Sequence, residues 1–185
     1  MRECVMRISI LTACYAAYII ISASFMRPVL NFIRAHLTGS GLFIFVWLIF
    51  ASVSLPLLHL LKKQLIDRKK YLRLALLLLL VGLLLGYAVS IHVAEERFHL
   101  VLFGLLGFSA SRDNNHKKTW LQFLLASFFC VTVAGLDELF QYFLPDRVGD
   151  PRDVLFGAVG GTWGALLHLL LYGGEPVAIS PNQRG

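Results

Sequence analysis

Six apolar stretches separated by short polar connections constrain this chain more than any other feature: 8–26, 42–61, 74–91, 92–111, 119–136 and 154–172. All but 92–111 contain no Asp, Glu, Lys or Arg. A charge-free block of about 18 residues or more is long enough to cross a ~30 Å hydrocarbon core as a helix. The hydrophobic share of 57% and the mean hydropathy of +0.71 exceed the roughly 45–50% of ordinary soluble domains. The sequence therefore predicts an all-α, polytopic transmembrane bundle of about six helices.

Basic residues orient the bundle, because Lys and Arg concentrate in cytoplasmic connections. The connection from Lys62 to Arg73 carries Lys62, Lys63, Arg68, Lys69, Lys70 and Arg73 against the single acid Asp67. With both termini cytoplasmic, twelve of the 17 basic residues fall inside; Arg27, Arg34, Arg97, Arg147 and Arg152 fall outside. The +6 formal charge is thus a topology signal, and no basic-aromatic stripe of a nucleic-acid surface accompanies it. Cys4, Cys14 and Cys130 have neither a metal-ligand spacing nor a disulfide pattern. No metal or cofactor is expected.

The first unit, 1–26, is either a spanning helix or the apolar core of a signal peptide with a small-x-small site at Ser22 and Ser24. The bundle proper covers 27–172. Within it, 27–37 is expected as a separate interfacial helix ending at the Thr38-Gly-Ser-Gly41 turn. Pro56 is expected to kink the second span, and Gly82 and Gly86 give the third a small-xxx-small packing face. The Gly- and Pro-containing tail 173–185 is expected to be poorly ordered.

The segment 92–111 is the exception among the blocks. Its clean apolar part, Leu100 to Ser109, is ten residues long, well short of a bilayer at ~1.5 Å per residue. It is expected as a short or partly inserted helix, spanning only if the turn with Glu95, Glu96 and His99 sits at the outer interface, in a wet cavity or against other helices.

A second polar cluster lies on the same side, in Asp137 to Gly164, DELFQYFLPDRVGDPRDVLFGAVGGTWG. Asp137 and Gln141 are four residues apart and Glu138 and Gln141 three, so the acids share a helix face with Gln141. Pro145 should end that helix. Asp150, Pro151 and Asp153 occupy the N-cap, first and third positions of the last helix, where a capping box explains both acids. Arg147 is placed to neutralise carboxylates or to hold an anionic headgroup. Glu96 and His99 stand three apart on the upstream helix, so His99 and Glu138 are candidates for acid-base work. Gly157, Gly160, Gly161 and Gly164 form two overlapping GxxxG spacings for close helix approach. His168 lies deep in that helix with no partner named by the sequence.

The run DELFQ, PDR and D153VLFGAVGG, with EERFHLVLFGLLGF upstream, resembles the VanZ-like family of bacterial membrane proteins, named for a teicoplanin-resistance factor. Asp137, Glu138, Gln141, Arg147, Asp153, Gly160, Glu96 and His99 fall on the family pattern, over about 95–171. Gly157 stands where the family commonly has Asn, and Phe103 where it commonly has Tyr. The resemblance implies a multi-pass protein of the bacterial cytoplasmic membrane and a link to teicoplanin susceptibility, and brings no established reaction.

Together these features predict an outward-facing polar pocket of Glu96, His99, Asp137, Glu138, Gln141, Arg147 and Asp153. Its expected partners are membrane lipids and a headgroup, lipid-linked precursor or glycopeptide; nucleic acid is not among them. An intramembrane enzyme using His99 and Glu138, or a small proton-coupled transporter, are the alternatives. Oligomeric state is not legible.

Overall fold

A computed structural model of the chain describes residues 6, 8–36, 41, 44, 48, 82, 83, 86, 96–114, 119–145 and 149–172. These form four long helices: α1 (Ile10–His36), α2 (Glu96–Asp113), α3 (Thr119–Tyr142) and α4 (Pro151–Tyr172). No strand occurs among the described residues. The spans expected over 42–61 and 74–91, with Pro56 and the basic connection, lie outside the described residues except for helical positions 41, 44, 48, 82, 83 and 86. The packing face expected at Gly82 and Gly86 belongs to a span that otherwise lies outside the described residues. The tail 173–185 lies outside the described residues.

Each helix end has a local cause. Ser9 caps α1, its Oγ accepting the Thr12 N–H at 3.2 Å while its carbonyl accepts the Ala13 N–H at 3.0 Å. Contrary to the expected break, α1 runs on through Pro28 to His36. A proline in a helix removes one N–H, here the one that would bond the carbonyl four residues back, and a long helix absorbs that loss. The α3 helix closes with Phe143 N–H on the Phe140 carbonyl and Leu144 N–H on the Gln141 carbonyl, then meets Pro145. At the start of α4, Asp150 Oδ1 accepts the Arg152 N–H at 2.9 Å, the N-cap bond that the sequence predicts.

By length and composition, α3 (24 residues) and α4 (22 residues) are able to cross a membrane. The 18 residues of α2 reach about 27 Å at ~1.5 Å per residue, and the helix sits inside the bundle. Leu100, Phe103, Leu106 and Ala110, on one face, have no exposed surface. Opposite to this inward packing, α3 exposes Trp120, Leu124, Phe128, Val131 and Leu139, a face suited to lipid rather than water.

Glycine decides how α2 and α4 meet. A Cβ at Gly164 would fall on the Gly104 carbonyl, one at Gly107 on the Gly161 carbonyl, and one at Gly160 would stand 2.6 Å from the Leu100 oxygen. The two backbones therefore touch without intervening side chains, and van der Waals contact replaces the hydrophobic driving force that lipid cannot supply. The other glycines of the pattern serve α3: a Cβ at Gly157 would lie 2.8 Å from that of Ala134, and one at Gly161 would overlap Cys130. The α1 helix closes the group with Thr12, Ala16, Ile19 and Ala23, buried at helical spacing, and with Tyr15 Oη donating to the Leu102 carbonyl at 3.1 Å.

Candidate functional site

The antiparallel order of α2, α3 and α4 brings the start of α2, the end of α3 and the start of α4 to one end of the bundle. Asp137 and Gln141, one turn apart on α3, both turn inward and are 3% and 4% exposed. Their neighbours Leu136, Leu139 and Tyr142 are exposed. Gln141 Nε2 donates to Asp137 Oδ2 at 3.1 Å, and His99 Nε2 of α2 stands 3.7 Å from the same oxygen. That separation is long for a direct hydrogen bond and suits an ion pair when the imidazole is protonated. Phe103, one turn along α2, stacks beside the His99 ring at 6.2 Å and 10°.

Glu138 takes a different partner from the one the sequence suggests. Its Oε1 accepts the Asp150 N–H, the bond that a capping box would assign to the side chain at the third position, Asp153. The cap of α4 is thus completed by a carboxylate of α3, which fixes where α4 begins. The imidazole of His99 stands against Asp137, while Glu138, the carboxylate that the sequence pairs with it, is held at the Asp150 N–H. The charge of Asp153 acts on both His99 and Glu138, so these four groups form one electrostatic cluster. Arg147 and Glu95 lie outside the described residues, as does the side chain of Glu96.

Among the described residues, three buried atoms of the cluster find no hydrogen-bond partner: His99 Nδ1, Asp137 Oδ1 and Glu138 Oε2. A buried polar atom left unpaired costs about 1–3 kcal/mol. Such costs persist at places where something else is to be bound. With Asp137 beside Nε2, the second ring nitrogen of His99 is the one left to act, as in carboxylate-oriented imidazoles. No group of three or more His, Cys, Asp or Glu able to hold a metal ion occurs among the described residues.

A second polar cluster, which the sequence did not announce, ties the opposite end. Asp113 Oδ2, at the end of α2, accepts the Ser9 N–H at 2.9 Å, Ser9 Oγ at 2.7 Å and Thr12 Oγ1 at 2.6 Å. This again is a cap completed by a carboxylate from another helix. Gln122 Nε2 of α3 donates to the Ser111 carbonyl at 2.6 Å, and Ser111 Oγ shares a hydrogen bond of 3.2 Å with His168 Nδ1 of α4. The available signal was Asp113 itself, the one acid in the basic connection Arg112 to Lys118.

The comparison with known families bears on both ends. The VanZ/LLP1 family profile matches residues 9–172. The chain belongs to the VanZ/LLP1 family. No curated protein and no solved structure matches it. The VanZ/LLP1 match extends beyond the 95–171 stretch that carries the sequence resemblance, and it takes in α1 from its Ser9 cap. The two departures from the VanZ-like pattern touch each other: a Cβ at Gly157 would meet Phe103 ring carbons at 3.2 and 3.3 Å. With Ala134 also 2.8 Å away, a larger residue at 157 requires a rearranged ring at 103. Both positions are therefore part of an apolar contact among α2, α3 and α4.

Proposed function

We propose that the chain is a multi-pass protein of the bacterial cytoplasmic membrane with α1 retained as a spanning helix. In this reading the His99–Asp137–Glu138 end faces outward and binds a headgroup, lipid-linked precursor or glycopeptide, and thereby alters teicoplanin susceptibility. The observation that carries the binding role is the set of buried atoms on His99, Asp137 and Glu138 without a partner among the described residues, in a cluster that already holds Asp137 by Gln141. A scaffold built only for stability would pair or exclude such groups. The membrane assignment draws on the spanning length of α3 and α4 and on the VanZ/LLP1 membership.

An enzymatic role for the same residues is favoured by one feature, the unpartnered Nδ1 of an imidazole with a carboxylate behind it. Expression in a teicoplanin-sensitive host separates the readings. Asp137→Asn and His99→Ala are expected to return susceptibility to the level of the host alone, at unchanged membrane abundance. Glu138→Gln keeps an oxygen for the Asp150 N–H but cannot transfer a proton. Partial protection by Glu138→Gln supports binding, and its complete loss at normal abundance supports the enzyme or a proton-coupled carrier.

A further inference from the structure

We infer that the ligand of this site is anchored in the bilayer and reaches His99, Asp137 and Glu138 from the hydrocarbon side, not from bulk water. The inference rests on the binding role proposed above and narrows the ligand to a lipid or lipid-linked molecule. It comes from depth. At the end of the bundle opposite the site, Arg112, whose side chain is half exposed, and the exposed Trp120 mark one membrane boundary, where such residues anchor. From Asp113 to His99 α2 rises about 21 Å, and from Trp120 to Asp137 α3 rises about 25 Å, at ~1.5 Å per residue. Both fall short of a ~30 Å core, so the cluster lies about 5–9 Å beneath the other boundary.

The described surface agrees with that depth. At the level of the site α3 exposes Leu136 and Leu139, and α4 exposes Leu155. Past the site α3 still exposes Phe143. The α1 helix, starting at Ile10, meets the far boundary after about 20 residues and exposes Phe25 and Val29 on the way. The described outer surface is thus apolar at the level of the cluster and above it. The His99 side chain is 21% exposed, and at that depth an exposed group meets lipid. A water-soluble molecule would have to shed the hydration of its polar groups to arrive there. An anchored one is held beside the cluster at high effective concentration by its own hydrocarbon.

The test uses the whole chain without Cys4, Cys14 and Cys130, held in lipid nanodiscs that leave both membrane faces open. A thiol is placed in the site by His99→Cys, or by Glu138→Cys if the first variant does not fold. Tyr142→Cys, at a position 70% exposed, supplies the reference thiol at the boundary. Each thiol is offered a maleimide on a long alkyl chain, which resides in the bilayer, and a charged water-soluble maleimide. The ratio of alkyl to soluble labelling rates is expected to be on the order of tenfold higher at the site thiol than at Tyr142→Cys, since only the soluble reagent has to leave water. Equal ratios, or a higher ratio at the reference thiol, would overturn the inference, because the site is then reached from water. If that result occurs while Asp137→Asn still abolishes protection in cells, the pocket stands and only the anchored ligand falls. A site thiol that neither reagent reaches in the folded protein removes the route and the pocket together.

Discussion

Gly164→Ala and Gly107→Ala are each expected to destabilise the bundle by about 3 kcal/mol or more, at the upper end of overpacking costs. Alanine is a better helix former than glycine by about 1 kcal/mol, so the local effect has the opposite sign and is outweighed. The reason is what the new methyl meets. At Gly164 it would fall on the Gly104 carbonyl, with the carbonyl carbon at 2.7 Å, and at Gly107 on the Gly161 carbonyl. Backbone atoms cannot rotate aside as a side chain does, so α2 and α4 would have to separate along the contact. Gly135→Ala provides the contrast, since nothing lies within 4 Å of a Cβ there; it should be neutral or stabilising by up to about 1 kcal/mol. Thermal unfolding of the purified variants in detergent measures all three. A Gly164→Ala protein as stable as the Gly135→Ala protein would show that α2 and α4 do not meet backbone to backbone.

Asp113→Ala should be the second most damaging change, at about 3 kcal/mol. One carboxylate oxygen receives Ser9 N–H, Ser9 Oγ and Thr12 Oγ1, and Thr12 has no exposed surface. Removing the acceptor strands those donors and frees the start of α1. Three bonds to one oxygen do not add as independent bonds, so the estimate stays below their sum. Asp113→Asn retains an acceptor and should cost less, because neutral hydrogen bonds are roughly half as strong as charge-assisted ones. Arg112→Ala should be near neutral: its guanidinium is 3.4 Å from Asp113 Oδ1 but the side chain is half exposed, and such surface pairs contribute little. The same unfolding assay ranks the three, and an Asp113→Ala protein no weaker than the Arg112→Ala protein would contradict the interhelical cap.

These two contacts also mark what the sequence could disclose. The α3–α4 junction was legible because its signals are local: Pro145 stops one helix, and Asp150-Pro151 starts the next. The glycine spacing on α4 announced a close helix neighbour, but not which one. Gly104 and Gly107 on α2 answer it with a three-residue spacing that the GxxxG pattern does not contain. Capping was legible in its acceptor, Asp150, and misassigned in its second half. Sequence proximity suggested Asp153, whereas Glu138, twelve residues back, takes the Asp150 N–H. The contact of His99 with Asp137 was not legible for a related reason: adjacent acids such as Asp137 and Glu138 point about 100° apart on a helix, and periodicity alone does not say which one faces α2. Ser9, Thr12 and Asp113 are short polar residues at helix ends, and their pairing emerges only when α1 and α2 are laid side by side.

That the His99–Asp137 end faces the outside is the claim on which the proposed binding role depends, and thiol labelling in whole cells tests it directly. In a background lacking Cys4, Cys14 and Cys130, Tyr142→Cys places an exposed thiol at the site end of α3, and Trp120→Cys places one at the opposite end. A membrane-impermeant maleimide is expected to label Tyr142→Cys in intact cells and Trp120→Cys only after permeabilisation. Labelling of Trp120→Cys in intact cells with Tyr142→Cys protected would turn the site toward the cytoplasm and contradict the outward-facing pocket.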